Sequence, residues 1–344
     1  MLYLILPYFD FNQSILSKNN LDLFISNYSN RANLRIVLCE GIYNEELPDY
    51  SDKIFKHLKF KLKNILWVKE NLINLAIKNL PDDAEFIAWS DRDIYFLNPL
   101  WVEDTIEKLK VYDIIQPWSE VIHLNPYYNL NHISKQKTNV SFSDKSILSS
   151  AIDYKNYQTK ISTSTGQIWA INKLFYKKIE KINDTEIIGG ADSILANFCI
   201  INDPFYEKIL NQKTTIKSKN SWELYKEKFK DIKYSYVDGL IIHYWHGDLQ
   251  DRKYSERTDV LVSLDYDPNE DISYDENGVL QFTEKGKRLE LPIKQYFESR
   301  KESEKIDKKN KHSMFHLKYR LQMCLMPGTN KNYKGAYKED YEQD

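Results

Sequence analysis

The chain has 344 residues, of which 42% are hydrophobic, enough for a full core in one large domain or in one domain with a smaller appendage. Its formal net charge of −2 excludes a global attraction to a polyanion or to an anionic membrane surface. The three cysteines lie far apart among apolar neighbours, so we expect small buried side chains rather than a disulfide framework.

The first segment, MLYLILPYFDFNQ, predicts a buried strand over Leu2–Leu6 that ends in a loop starting at Pro7. Its apolar stretch is too short for the core of a signal peptide or for a membrane span, and no basic residue precedes it. No later window of the sequence reaches the length of a membrane span. We therefore expect a soluble, cytoplasmic protein with neither a signal peptide nor a transmembrane segment.

The next segments predict alternating helices and buried strands. They are a helix over 15–25 with a break near Asn19–Asn20, a strand over 34–41, an amphipathic helix over 68–80 stopped by Pro81, and a strand over 84–96. This alternation favours a parallel sheet with helices on its faces. Ligands of such sheets bind beyond the carboxyl ends of the strands, where Pro7 to Asp10, Glu40 and Asp91–Asp93 fall.

The second half of the chain predicts further elements and then a polar extension. The elements are a helix over 102–110, a strand over 111–118, a tyrosine-rich loop over 119–160, a strand running into a helix over 165–179, a glycine turn opening a helix over 186–200, and a strand with a charged segment over 236–261. A hairpin near 276–282 and a charged run over 298–312 follow. We therefore predict one domain over 1–265 and a C-terminal extension over 266–344 that is partly helical with a polar tail.

Two aspartates, Asp91 and Asp93, lie at the end of the third apolar strand, in SDRD. Residues i and i+2 of a strand face the same way, so we expect both carboxylates on one side. Two oxygen ligands at such a place suit a divalent cation that bridges a pyrophosphate. An Asp-x-Asp in an exposed turn is the alternative, and the preceding apolar strand favours the metal site.

Two histidines, His243 and His246, lie at the end of another apolar strand, in LIIHYWHGDLQDRK. Neutral imidazole suits Mn²⁺ or Zn²⁺ better than Mg²⁺, so a mixed Asp and His site favours manganese. The arginines that follow, Arg252 and Arg257, are suited to phosphate oxygens. A satisfied core histidine and a solvated charged face are the alternatives. Residues three apart face opposite ways on a strand, so both histidines can join only if the strand ends by Trp245.

A glycine turn, EIIGGADSIL, precedes the third candidate residue, Asp192. Gly189 and Gly190 allow the backbone to approach a ligand closely, and Asp192 lies where a helix begins. The carboxylate is therefore either a helix cap or a base aimed into the cleft, and the two roles are compatible if one oxygen stays free to accept a proton.

These motifs, in this order, resemble those of GT-A glycosyltransferases, in particular the β-1,4-galactosyltransferase group. SDRDIYF resembles the Ser-Asp-x-Asp metal motif, and VKENLINLAI, with Lys69, Asn71 and Asn74, resembles the helix before it. IGGAD resembles the Trp-Gly-Gly-Glu-Asp turn, and HYWHGDLQDRK the metal-binding histidine strand with a basic tail. The stretch from HYWHG to YFESRKES also looks like a set of uncharacterised, often phage-borne glycosyltransferase-like proteins.

The resemblance implies a GT-A fold, which is a Rossmann-like mixed sheet flanked by helices, and a metal-dependent glycosyltransferase that uses Mn²⁺ or Mg²⁺. It implies that Asp93 and His246 bind the metal, with His243 in place of a second, softer ligand, and that Asp192 is the catalytic base. The donor-binding residues that we expect are Pro7, Phe9, Asp10, Glu40, Lys69, Asn71, Asn74, Asp91, Gly189, Gly190, Arg252 and Arg257.

Two positions depart from the family pattern. Ala191 replaces the glutamate before the base, and Ile188 replaces the tryptophan before the two glycines, so the acceptor cannot be transferred from the family. The expected partners are a nucleotide-sugar, with a UDP-sugar first, and a glycan or other glycosylatable acceptor, with modified nucleic acid left open. The acceptor is expected to meet the aromatic residues of the 119–160 region, Trp118, Tyr127, Tyr128 and Tyr154.

Two other classes of function remain open at this point. A metal-dependent phosphohydrolase or nuclease also uses Asp and His ligands, but it needs more metal carboxylates than the motifs provide. A binding module that kept the fold and lost catalysis is the other alternative, and Ala191 is the observation that favours it. Metal-dependent binding of a nucleotide distinguishes the transferase from the binding module.

Overall fold

The computed structural model describes residues 1–124, 133–134, 141–153, 163–200, 214–247, 249–254 and 256–300. The first elements are β1 (Leu2–Phe9), α1 (Ile15–Tyr28), β2 (Leu34–Ile42), β3 (Lys56–Lys61), α2 (Lys69–Lys78), β4 (Phe86–Ser90), β5 (Ile94–Phe96), α3 (Trp101–Leu109) and β6 (Ile114–Gln116). They are followed by β7 (Glu120–His123), β8 (Ile133–Ser134), β9 (Ser141–Ser146), α4 (Ile147–Asp153), β10 (Thr163–Ser164), β11 (Ile168–Asn172), α5 (Lys173–Ile179), α6 (Ala191–Cys199), α7 (Ile216–Lys226), β12 (Tyr234–Tyr236), β13 (Leu240–His243), α8 (Asp259–Ser263), β14 (Ile272–Tyr274), β15 (Leu280–Phe282) and α9 (Glu290–Ser299).

The main sheet has the strand order β12-β6-β11-β4-β1-β2-β3. Its neighbouring strands are parallel, except that β11 runs antiparallel to both β4 and β6. Helices cover both faces, so that a separate hydrophobic core lies on each side of the sheet. The predicted fold class, an α/β fold with a mixed sheet flanked by helices, is therefore confirmed.

Strand β1 contributes to the hydrophobic core on each face of this sheet. Leu4 and Leu6 pack on the side of α1 and α3, whereas Ile5 packs on the side of α2 and α6. Successive side chains of a strand point to opposite faces, so a strand that is covered on both sides reads as a continuous apolar run. This is why the sequence identified β1 so clearly.

A second sheet, with the order β10-β9-β7-β13-β5 and with β8 beside β9, lies at the end of β4. Residues 91–93 link β4 in the main sheet to β5 in the second sheet, where β5 pairs antiparallel with β13. The prediction of one strand over 84–96 is therefore wrong. The backbone after Ser90 leaves one sheet because Ile94–Phe96 finds its hydrogen-bond partners in the other.

Other boundaries also differ from the predictions. Helix α1 is continuous through Asn19–Asn20, because Asn20 is buried against the core and Ser14 caps the helix by accepting a hydrogen bond from the Ser17 amide. Strand β1 continues past Pro7, which lies beyond the last pairing with β4, where β1 has a single hydrogen-bonded neighbour and proline is tolerated.

The region predicted as a tyrosine-rich loop over 119–160 contains β7, β9 and α4 in its described part. Trp118, expected near the acceptor, is fully buried in the hydrophobic core instead. The other aromatic residues named for this region, Tyr127, Tyr128 and Tyr154, lie outside the described residues. The strand β3 had no counterpart in the predictions.

Residues 266–300 pack against the same hydrophobic core as α2. Tyr266, Leu280, Leu289 and Ile293 are at most 1% exposed and belong to that core. The hairpin expected near 276–282 is confirmed as β14 and β15. The domain boundary at 265 stays a prediction, and residues 301–344 lie outside the described part. No helix within the described ranges is both long enough and apolar enough to cross a bilayer.

Candidate active site

A cleft of about 500 Å³ lies at the carboxyl ends of β1 and β4, next to the end of β13 and the start of α6. The strand ends of an α/β sheet converge on such a cleft, which brings together residues far apart in the sequence. Most of the predicted site residues line it: Pro7, Phe9, Asp10, Lys69, Asp91, Asp93, Gly190, Asp192, His243, His246, Arg252 and Arg257.

Three of these side chains form a group that could hold a metal ion. Oδ2 of Asp93 lies 3.1 Å from Nε2 of His246, and Oδ1 lies 3.5 Å from Nε2 of His243. The two histidine Nε2 atoms are 3.2 Å apart. Strand β13 ends at His243, so the condition for both histidines to face the same site is met. Among the described residues, this is the group of three possible ligands that the structure brings within 4.8 Å of one another.

The chemistry of this group fits a divalent cation. Oδ1 of Asp93 is buried and accepts no hydrogen bond from any residue in the described part of the chain. A buried carboxylate oxygen of this kind is suited to coordinate a cation. Burial holds the pKa of His243 and of His246 well below the usual range, so both rings are neutral at pH 7. Burial, with the Asp91 charge next, raises the pKa of Asp93 to about 7. Two neutral imidazoles, which are borderline ligands, together with one hard carboxylate form a mixed set that suits Mn²⁺ better than Mg²⁺.

The guanidinium of Arg252 contacts the ring nitrogens of His246, one of the three possible ligands. Its Nη2 is 2.6 Å from Nε2 and 2.8 Å from Nδ1 of His246. A guanidinium can only donate, so it bonds whichever ring nitrogen carries no proton, and Nε2, the atom that a metal would use, is the nearer of the two. Arg252 must therefore turn away when a cation binds at His246.

Lys69, at the start of α2, links two further carboxylates of the cleft, those of Asp91 and Asp192. Its Nζ lies 2.7 Å from Oδ1 of Asp91 and 3.3 Å from Oδ2 of Asp192. Burial alone would lower the pKa of Lys69, but the charges of Asp192 and Asp91 outweigh it and raise the pKa above its ordinary value. The ammonium therefore stays charged and holds both carboxylates in place.

Asp192 lies in the first turn of α6, after Gly190, whose φ of 113° is a conformation that favours glycine. Among the described residues, Lys69 is the hydrogen-bond donor to its carboxylate, and it binds Oδ2. The side chain keeps 23% of its surface exposed, so an oxygen remains accessible from the cleft. Burial, partly offset by Lys69, raises the pKa of Asp192, which makes the carboxylate a stronger base.

Aromatic residues that line the cleft, Phe9, Trp67, Tyr254 and Phe297, form an aromatic wall. The ring of Trp67 stacks on that of Phe297 with an interplanar angle of 10° and meets Phe9 edge-on, with ring centroids 5.2 Å apart. Arg300 lies over Trp67, 5.5 Å from its centroid, and Arg257 lies over Tyr254 at 5.0 Å. The wall offers flat apolar faces and two cations to a ligand.

Four predicted donor-binding residues do not line this cleft, and their contacts are structural. Glu40 accepts hydrogen bonds from the Leu47 amide at 2.6 Å and pairs with His57 at 2.9 Å. Gly189 lies beneath Arg257 and Trp67, where a Cβ atom would come within 3.3 Å of both. Neither residue is among those that line the cleft, so donor contact by Glu40 and Gly189 stays a prediction.

The other two, Asn71 and Asn74, are buried in α2 and hold neighbouring backbone. Asn71 donates to the Gly278 carbonyl at 3.0 Å and accepts from the Leu280 amide at 3.0 Å. Asn74 donates to the Ile182 carbonyl and accepts from the Ile182 amide, both at 2.8 Å. Their place on a helix beside the cleft suggested donor binding, but their amides point to the hairpin and to the loop before α6.

Several cleft residues were not predicted, and they have a common feature. Most of them reach the cleft from an element whose path the sequence does not reveal, such as α9 or the second sheet. Arg92, between the two aspartates, donates to Ser17 at 2.6 Å, and a lone basic residue there carries no pattern. The unpredicted lining residues include Trp67, Arg92, His123, Asp144, Tyr296, Phe297 and Arg300.

No model of a protein family matches the sequence, and no curated protein matches it. Among solved structures, the fold is similar to Drosophila β-1,4-galactosyltransferase 7, solved with manganese, UDP-Gal and xylobiose, at 14% identity and a TM-score of 0.28 over 57% of this chain and 58% of that one. It is also similar to residues 1–349 of S. aureus TarS in complex with UDP-GlcNAc, at 11% identity and a TM-score of 0.38 over 71% and 58%.

A third similar structure is the 4-diphosphocytidyl-2C-methyl-D-erythritol synthase of Anaerococcus prevotii, at 13% identity and a TM-score of 0.30 over 70% of this chain and 87% of that one. The chain thus spans a little over half the length of the glycosyltransferases that it matches first. Glycosyltransferases, the family that the motifs resemble, are among these structures. These similarities are distant.

Proposed function

We propose that the protein is a metal-dependent glycosyltransferase that moves a sugar from a nucleotide-sugar, with a UDP-sugar as the first candidate, to an acceptor hydroxyl. The observation that carries this proposal is the joint placement of two groups in one cleft. Asp93 with His243 and His246 forms a possible metal site, and Asp192 presents a partly exposed carboxylate beside it. A donor diphosphate and an acceptor hydroxyl need these two groups respectively.

The donor half of the reaction is assigned to the metal group and the arginines. A bound Mn²⁺, held by Asp93, His246 and His243, would supply positive charge to the leaving diphosphate. Arg252 turns from His246 to the phosphate oxygens, to which it can donate two hydrogen bonds at once. The aromatic wall around Trp67 gives the nucleoside a flat apolar face.

The acceptor half is assigned to Asp192. Its carboxylate accepts the proton of the acceptor hydroxyl as the oxygen attacks the anomeric carbon, and the bond from that carbon to the diphosphate breaks. Lys69 keeps Asp192 in position and neutralises part of its charge before the proton arrives. Attack from the face opposite the leaving group inverts the anomeric configuration, and no covalent enzyme intermediate is required. The acceptor is a glycan or another glycosylatable molecule.

A two-metal phosphohydrolase is less well supported by the same cleft. It requires a second set of ligands, and the described residues offer one group of three. Two other carboxylates of the cleft, Asp91 and Asp192, are both engaged by Lys69. These contacts favour positioning of a donor and a base over binding of a second ion.

Thermal unfolding tests the proposal on the whole chain. The midpoint is measured with UDP, GDP, UDP-glucose, UDP-galactose, UDP-GlcNAc and the corresponding GDP-sugars, each with and without Mn²⁺. We expect a nucleotide to stabilise the protein only when Mn²⁺ is present, by about 2.7 kcal/mol at a ligand concentration of 100 Kd. Asp93→Ala should fold and lose this stabilisation, whereas Asp83→Ala, a matched change at an exposed aspartate, should keep it.

The outcome separates the functions. Nucleotide binding with unchanged metal dependence in Asp93→Ala contradicts the metal assignment. Stabilisation by no nucleotide under any condition contradicts the transferase and favours a module with another ligand. Release of free phosphate from the nucleotide, measured in the same samples, would favour the phosphohydrolase instead.

A further inference from the structure

A chain of polar contacts leads away from the proposed metal site into the second sheet. Nδ1 of His123 lies 3.2 Å from Nδ1 of His243, and Nε2 of His123 lies 3.3 Å from Oδ2 of Asp144. The side chains of His123 and Asp144 are only 12% and 3% exposed. These residues come from three adjacent strands, since β7 pairs with both β13 and β9.

The register of the sheet fixes this arrangement. His123 is directly opposite His243 in the parallel pair of β7 and β13, so both imidazoles project from the same face. Asp144 lies one strand further, on β9. The two histidines end similar stretches of sequence, VIH and IIH, on neighbouring strands. The backbone therefore holds the pair rigidly.

The contacts permit one consistent assignment of protons when His243 binds a metal through Nε2. That nitrogen must then carry no proton, so Nδ1 of His243 carries it and donates to Nδ1 of His123. His123 must consequently carry its own proton on Nε2, which faces the carboxylate of Asp144. A carboxylate accepts and does not donate when ionised, so Asp144 favours this assignment over the reverse one.

We propose that His123 is a positioning residue which, supported by Asp144, holds His243 in the tautomer and orientation that present its Nε2 to the metal. The inference rests on the proposed function, because it assumes that His243 is a ligand. A residue that hydrogen-bonds to a metal-ligating histidine fixes the orientation of its ring and raises its basicity. Mutation of such a residue typically costs ~10–100-fold in metal affinity. Neither His123 nor Asp144 touches the reacting groups in this assignment.

Direct metal binding by the full-length protein tests the inference. Mn²⁺ is titrated in the absence of nucleotide, and the signal of free aqueous Mn²⁺ is followed by electron paramagnetic resonance. We expect His123→Phe, which removes the acceptor, to weaken Mn²⁺ binding ~10–100-fold. His123→Asn should restore most of the affinity, since its Oδ1 can take the place of Nδ1 as the acceptor. Asp144→Ala should weaken binding in the same direction.

Two controls separate positioning from other roles. Lys145→Ala, on the opposite face of β9 from Asp144, should bind Mn²⁺ like the wild type. In a His243→Ala background, His123→Phe should cause no further loss, because the residue acts through His243. The unfolding midpoint without Mn²⁺ shows whether each variant is folded. If His123→Phe does not fold, the Mn²⁺ affinities of Asp144→Ala and His123→Asn test the same role, and wild-type affinity in Asp144→Ala then contradicts it.

The possible failures are distinguishable. If the wild type binds no Mn²⁺, the proposed metal site fails and this inference fails with it. If the wild type binds Mn²⁺ and folded His123→Phe binds it equally well, only this inference is overturned. A full additional loss from His123→Phe in the His243→Ala background would instead make His123 a direct ligand, which also overturns the positioning role.

Discussion

Asp91 and Asp93 are two residues apart, yet their carboxylates serve different partners. Asp91 pairs with Lys69, and Asp93 lies between His243 and His246. An unbroken strand would have placed both carboxylates on the same face. Because the chain changes sheet between them, the cleft gains a metal group and a separate lysine-bridged pair of carboxylates. At the scale of single residues, the site is therefore two adjacent units.

Arg252 gives a prediction that distinguishes these units. Its guanidinium lies within 2.8 Å of both ring nitrogens of His246, so Arg252→Gln should strengthen Mn²⁺ binding without nucleotide by about fivefold, for an exchange worth ~1 kcal/mol. The same change should weaken nucleotide binding in the presence of Mn²⁺, because a phosphate contact is lost. Isothermal titration of both ligands measures the two effects.

Arg92→Gln is the matched control, since it removes a cationic side chain of the cleft that bonds Ser17 rather than a histidine. It should leave Mn²⁺ affinity much closer to the wild-type value. Weaker Mn²⁺ binding by Arg252→Gln would show that the arginine supports the metal group instead of competing with the ion.

Asp192 gives the second prediction at this scale. Asp192→Asn keeps the shape of the side chain and removes the base, so donor binding and stability should stay near the wild-type values. Sugar transfer should fall by the ~10²–10⁴ that loss of a general base causes. Transfer is measured by mass spectrometry of the acceptor, and Ser193→Ala on the same helical turn is the control. A wild-type rate would mean that Asp192 only positions Lys69 and that the base lies elsewhere, with Asp251 the next candidate in the described part.

At the scale of secondary-structure elements, α2 joins the cleft to the region after residue 265. Lys69 at its first residue faces the two carboxylates, whereas Asn71 one half-turn later holds the hairpin of β14 and β15 through two backbone contacts. Side chains on a helix change direction by about 100° per residue, so one short helix serves both purposes. This geometry makes the interior polar residues of α2 structural.

Asn71→Ala tests that role. The change leaves the buried Leu280 amide and the half-buried Gly278 carbonyl without their partner. A buried group without a partner costs ~1–3 kcal/mol and a half-buried one about 1 kcal/mol, so the free energy of unfolding should fall by ~2–4 kcal/mol. Urea denaturation measures this loss, and Asn79→Ala, at an exposed position past the end of the same helix, should cost less than about 1 kcal/mol. Metal-dependent nucleotide binding by folded Asn71→Ala should be unchanged. A selective loss of nucleotide affinity would restore Asn71 to the donor site.

At the scale of the whole molecule, residues 266–300 serve both the core and the cleft. Leu280 and Ile293 fill the core beneath α2, and Phe297 and Arg300 form part of the aromatic wall. The Tyr296 hydroxyl donates to the Arg252 carbonyl at 3.1 Å, which ties α9 to the segment that follows the histidines. Residues that the sequence assigned to an extension after residue 265 thus line the same cleft as residues of the predicted domain over 1–265.

A chain that ends at residue 265 should therefore fail to fold cooperatively. It lacks Tyr266, Leu280, Leu289 and Ile293, each at most 1% exposed, and burial of such side chains is worth ~1.5–3 kcal/mol apiece. Their sum approaches the ~5–15 kcal/mol that stabilises a typical domain. Circular dichroism during thermal unfolding is the measurement. A sharp transition with retained Mn²⁺-dependent nucleotide binding would show that residues 1–265 are an independent domain.

The sequence by itself determined the elements that rest on local patterns. Apolar runs predicted the strands β1, β2 and β4, and the polar residues at the ends of these strands predicted the position of the cleft. Both signals are local, because side-chain alternation and strand termination depend on neighbours in the chain. The glycine turn before Asp192 and the two histidines after Ile242 were found for the same reason. The order of these motifs also gave the resemblance to glycosyltransferases.

Only the tertiary structure decided what each of these side chains contacts. Glu40, Asn71 and Asn74 looked like donor ligands but bind backbone and His57, while Trp67, His123 and Arg300 line the cleft without any local pattern. Their roles depend on contacts across long stretches of chain, such as the approach of α9 to Trp67. The change of sheet at Asp91–Asp93 is of the same kind, since the partners that draw β5 away lie on β13, about 150 residues later.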